Sequence, residues 1–79
     1  MKQAAPFAEN QRLFLFTVEG MAVLRVVNFA RKMRRDAAGN DCVVLDDGLL
    51  RRAKSADLHV DQAEAEKRVA DARAAAKRG

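Results

Sequence analysis

The sequence predicts a small, mainly α-helical single domain with one or two short β-strands. Three observations carry that prediction. Val23, Val26, Val27, Ala30 and Met33 recur at helical spacing, with Arg25, Asn28, Lys32 and Arg35 on the opposite face. An Ala/Glu/Lys/Arg-rich tail opens on Asp61 and Glu64, a capping-box-like start with Asp replacing the usual hydroxyl residue. The clearest strand signal is the short run 41–45, bounded by Gly39, Asn40 and by Asp46, Asp47, Gly48. The chain of 79 residues and 8.7 kDa is sized for one domain. At that length folding buries only about 60% of the surface of the unfolded chain, so self-association or a partner is expected to add stability.

Taken in order, Pro6 followed by Glu9 suits a helix start. The apolar run 12–18 fits two structures, because short continuous runs carry no period. It is either part of a helix bent near Gly20, or a strand that turns as a hairpin at Glu19 and Gly20; the mainly α prediction takes the first. Thr17 can cap a helix over 18–36, with Glu19 in its first turn and Arg31, Lys32, Arg34 and Arg35 in its last turns, each placed favourably for the dipole. Residues 37–40 supply a stop. After the strand at 41–45, Asp46 or Asp47 can cap a short helix running to Ala56, with Leu49, Leu50 and Ala53 facing inward. Leu58, His59 and Val60 break it, and the final helix runs from Asp61 to about Lys77. Ion pairs Glu64 to Arg68 and Lys67 to Asp71 support that helix, whose apolar face holds only Val69 among Ala65, Ala72 and Ala76. Phe7, Phe14, Phe16 and Phe29 read as core. The chain thus divides into a basic helical segment, 1–40, and a strand–helix–helix segment, 41–79, of one domain.

Charge is placed unevenly. Residues 1–40 hold seven Lys/Arg against three Asp/Glu, and residues 41–79 hold eight against eight, which accounts for the net charge of +4. The excess is concentrated in Arg31, Lys32, Arg34 and Arg35 and favours an anionic partner, DNA or a protein. The lone Cys42 and lone His59 leave no disulfide and no zinc spacing, which fits a reducing, cytoplasmic setting. The N-terminus lacks the regions of a signal peptide, and Glu19, Gly20, Arg25 and Asn28 interrupt the one long apolar region, so no membrane span is expected. Cys42 and His59 could be pictured as nucleophile and base with Asp46 or Asp47 behind them, but no motif supports that. The carboxylates Asp41, Asp46, Asp47, Asp57 and Asp61 match no calcium loop. No enzymatic activity, cofactor, metal or small-molecule substrate is therefore expected.

The order strand, acidic cap, short helix, apolar turn, acidic cap, longer helix, from Asp41 to about Ala72, resembles the ribbon-helix-helix repressors, particularly Ccd-type antitoxins. The resemblance implies a homodimer whose paired strands enter the DNA major groove. By position it implies that Val43 and Leu45 point inward and that Asn40, Cys42 and Val44 face DNA, with Arg51, Arg52 or Lys54 near the backbone. It also places the helix start at Asp61 and Gln62 beside phosphate. Two functions are thus expected. One is a dimeric DNA-binding regulator or antitoxin-like protein. The other is a small inhibitor or adaptor, of the kind carried by phages and mobile elements for anti-defence, that occludes a host protein through its basic helix or an exposed apolar face.

Overall fold

A computed structural model describes residues 7–78. It corrects the fold class: the chain is mainly β, a five-stranded antiparallel sheet with one C-terminal helix. The strands are β1 (Arg12–Glu19), β2 (Met21–Lys32), β3 (Cys42–Asp46), β4 (Leu49–Ala53) and β5 (Leu58–His59), followed by α1 (Gln62–Arg78). They lie in the order β4-β3-β2-β1-β5, so the first four form a meander and β5 adds to the free side of β1. A single 3-10 turn, Ser55–Asp57, carries the chain from β4 round to β5.

The expected helix over 18–36 is β2, and the run 12–18 takes the hairpin alternative, reversing at Gly20. The helical spacing there is incidental. Val27 and Phe29 alternate into the core, while Ala22 and Leu24 on the other face lie under α1. With parts of both faces covered, the period of two that marks a half-exposed strand is blurred. A β-bulge between Phe29 and Arg31 then shifts the phase. The expected helix from Asp46 to Ala56 is the β3–β4 turn and β4 itself. Asp47 (φ 52°) and Gly48 (φ 81°) form the two-residue turn with both central residues left-handed, the Asp-Gly hairpin signature. Leu49 and Leu50, expected inside, are exposed. Pro6 lies outside the described residues, and Glu9 sits in a turn rather than a helix.

Two expectations match the structure closely. The strand at 41–45 is β3, and the last helix starts where the Asp61 carboxylate accepts the Ala63 N–H at 2.9 Å. The arrangement implied by a ribbon-helix-helix dimer is absent, because β3 has β2 on one side and β4 on the other and no free edge for a mate.

The inner face of the sheet carries Leu13, Leu15, Val27, Phe29, Cys42, Val44, Ala53 and Leu58, all buried, with Phe7 packed against them. Among the described residues no second layer of strands or helices covers this face, and the sheet curls around it. One contact shows how far. Arg51 on β4 donates to Thr17 Oγ1 on β1 at 3.3 Å, although two strands separate them. In a flat sheet those strands would stand about 14 Å apart at 4.8 Å per strand, beyond the reach of one side chain. The result is a half-open barrel. At one end it is bridged by Asp46, which accepts from Arg25 Nε at 2.6 Å and Arg51 Nη1 at 3.0 Å. At the other, residues 7–11 fold back, with Asn10 N–H donating to the Phe29 carbonyl and Phe7 edge-on to Phe29 at 5.6 Å.

Helix α1 packs on the outer face along the β1–β2 hairpin and, among its described side chains, buries only Ala65 and Val69. Arginines fix what that small apolar seam cannot. Arg68 reaches Asp57 (2.8 Å), the Ala56 carbonyl (2.9 Å) and His59 Nε2 (3.1 Å), and its guanidinium lies 4.0 Å from the centre of the Phe16 ring. Arg73 Nε donates to the Ala22 carbonyl at 2.9 Å.

Candidate functional site

Strand register decides which side chains share the outer face that α1 leaves open. Arg12 pairs with Asn28, Asn28 with Leu45, and Leu45 with Leu50; beside that row, Arg31 pairs with Val43 and Val43 with Arg52. Val26, directly before Val27, lies on the same face. The exposed surface is therefore an apolar strip of Val26 (58% exposed), Leu45 (40%) and Leu50 (70%) flanked by Arg12, Arg31 and Arg52. Residues far apart in sequence meet here only because the meander stacks them.

The loop 33–41 adds Arg34 and Arg35, both exposed, and Lys54 follows β4 directly, its aliphatic stem lying against Gly39. Two carboxylates stand among these bases. Asp36 organises the loop by accepting from the backbone N–H groups of Asn40 (2.8 Å) and Ala38 (3.0 Å), and it pairs with Arg52 at 3.3 Å. The Asn40 backbone N–H is the largest influence holding its carboxyl below the usual range, ahead of the opposing effect of burial. Asp41 accepts from Ser55 N–H (2.8 Å) and Ser55 Oγ (2.9 Å), and the backbone bond likewise depresses it. Arg12, Arg31, Arg34, Arg35 and Lys54 are left without an ion-pair partner among the described residues.

Of the residues singled out from sequence, Arg31, Arg34, Arg35, Arg52 and Lys54 stand on this exposed end. Lys32 lies one residue further on β2, in register with Cys42 on the inner-face side. The remainder serve the fold. Asn40 Nδ2 donates to Asp36 at 3.2 Å, and Arg51 turns inward to Asp46 and Thr17. Cys42 and Val44 are fully buried and present nothing to DNA or to any partner. Sequence reasoning missed Arg12, Val26, Leu45 and Leu50. The Asp47-Gly48 turn flanked by apolar residues is the signal that could have placed Leu45 and Leu50 opposite each other on paired strands.

The described residues of this surface bring together few reactive groups. Burial, its largest influence, pushes the Cys42 thiol up to about 11, and His59 sits on a different strand and the opposite face, accepting from Arg68. Among the described residues no group of three His, Cys, Asp or Glu could hold a metal, and no helix is long and apolar enough to cross a membrane. A cleft between the β1–β2 turn and the end of α1, lined by Met21, Ala22, Ala72 and Ala76 with Arg73 and Lys77 at its side, is mostly apolar, and Arg73 is engaged with the Ala22 carbonyl. No family model, curated protein or solved structure matches the chain.

Proposed function

We propose that this chain is a small non-enzymatic protein-binding module, of the inhibitor or adaptor class, that engages an acidic partner through the outer face of β2, β3 and β4. One observation carries the reading: Val26, Leu45 and Leu50 lie uncovered between Arg12, Arg31 and Arg52. Contiguous exposed apolar side chains rimmed by charge are what protein interfaces use, with the apolar part supplying affinity and the arginines register and specificity. The basic rim selects for an anionic surface. The test is to capture a partner with the tagged chain from its host and repeat the capture with Leu50→Asp and with Arg31→Glu. A stoichiometric complex lost in both variants supports the reading; a complex indifferent to both sinks it.

A second reading has its own support. Arg12, Arg31, Arg34, Arg35 and Lys54 could contact phosphates in a DNA-binding regulator or antitoxin-like protein acting as a dimer. It requires a duplex affinity that falls steeply, by about a thousandfold or more between 50 and 200 mM salt if six phosphates are contacted. Leu50→Asp separates the readings, because a leucine contributes to a protein interface and nothing to phosphate binding. Light scattering of the chain alone and with duplex reports whether it dimerises.

A further inference from the structure

We propose that the free edge of β4 is a strand-addition site for an extended acidic peptide segment of the partner. The proposal rests on the protein-binding reading above and specifies its geometry. Strand β4 closes one side of the sheet, and nothing pairs with its outer edge among the described residues. The two-residue turn at Asp47 and Gly48 makes Asp46 and Leu49 the first hydrogen-bonded pair, and alternation makes Val44 and Arg51 the next. Leu50 and Arg52 therefore direct their N–H and C=O groups away from β3, toward the open edge.

Edge strands are normally blunted by proline, an inward charge or a covering element. This one has an inward charge, Arg51, which Asp46 and Thr17 engage within the barrel, and neither proline nor a covering element among the described residues. Leu49 and Leu50 are 73% and 70% exposed, an unusual state for two consecutive leucines on an edge. A strand added here places every second side chain on the outer face, one opposite Leu50 and the next opposite Arg52. Cross-strand pairing rules then choose the ligand: an apolar residue against Leu50 and an acidic one against Arg52, two residues apart.

Charge decides between this occupant and a second copy of the chain. Two β4 edges meeting antiparallel bring together two chains of net charge +4, with Arg52 and Lys54 nearest the contact. One pair of five-residue strands also falls short of the roughly 1,000 Å² that a specific dimer buries. An acidic strand meets the same cations with attraction, and main-chain hydrogen bonds supply the rest of its affinity.

The test follows amide exchange by NMR on the full chain with the capped hexapeptide threonine–glutamate–threonine–valine–threonine–glutamate, which sets valine between two glutamates on one strand face. The peptide is supplied at ~1 mM, an affinity range suited to one strand of contacts. Exchange at the Leu50 and Arg52 amides should slow by about tenfold, with little change at Leu49 and Arg51. A hexaglutamate peptide and the same hexapeptide with lysine in place of both glutamates should leave all four unchanged. If both acidic peptides shift the Arg31, Arg34 and Arg35 resonances alike and protect neither amide, binding is electrostatic only; strand addition is then overturned while the protein-binding reading stands. Protection that grows with protein concentration without peptide identifies a second copy as the occupant and overturns the proposal, as does protection produced by a DNA duplex. Partner capture indifferent to both Leu50→Asp and Arg31→Glu would instead strike the parent reading.

Discussion

Asp46 is the side chain whose removal should tell most about how this barrel is held. It is 8% exposed and accepts from Arg25 on β2 at 2.6 Å and from Arg51 on β4 at 3.0 Å. Arg51 in turn holds Thr17 on β1, so one carboxylate anchors a link across β1, β2, β3 and β4. Asp46→Ala deletes two charge-assisted bonds and leaves two cations facing each other. Were the cluster fully buried, breaking it would cost about 3–5 kcal/mol. Both arginines are over a third exposed, at 37% and 36%, so water screens much of that repulsion. The truncation should therefore cost ~1–3 kcal/mol, lowering Tm by roughly 5–15 °C in a domain of this size. The pH dependence supplies a second check. The hydrogen bond from Arg25, chiefly, holds the Asp46 carboxyl below its ordinary value, so its contribution is complete above the unfolded carboxylate pKa near ~4 and is lost as pH falls through the lower folded value. Wild type and Asp46→Asn should thus differ in urea midpoint at pH 7 and converge toward pH 2. A loss under ~0.5 kcal/mol at pH 7, or a gap that persists in acid, would refute the bridging role.

Three further outcomes are expected. Leu13→Ala, at a position with no exposure in the centre of the barrel, should destabilise by ~2–4 kcal/mol in urea unfolding; a cost below ~1 kcal/mol would mean that the inner face is not a packed core. Native Cys42 should resist thiol reagents near pH 8 and react only as fast as the chain opens. Its buried thiol stays neutral up to about 11, whereas an unfolded one ionises near ~8.5, so stability should decline as pH rises between those values and Cys42→Ala should flatten that decline. Arg68→Ala removes the contacts to Asp57, Ala56, His59 and Phe16 and should speed amide exchange throughout α1 by about tenfold while leaving β2 and β3 protected; equal acceleration in the sheet would show that helix and barrel open as one unit.

What the sequence determined by itself was local. The Gly39-Asn40 and Asp46-Asp47-Gly48 punctuation marks β3 because turn chemistry is written in adjacent residues. The Asp61 cap marks the start of α1 for the same reason, and the concentration of base at 31–35 is a property of composition. Tertiary structure decided the rest. Strand β2 carries a helical spacing and became a strand because β1 and β3 pair with it on either side and its apolar residues reach both the barrel interior and the seam under α1. Residues 49–53 could follow an acidic cap as a helix, yet they pair with β3, because left-handed Asp47 and Gly48 fold them back upon it. The candidate surface was the least legible part. Arg12, Arg31 and Arg52, with Leu45 and Leu50, share a face only through the register of four strands, and register is fixed by long-range pairing and core packing that no local run of residues encodes.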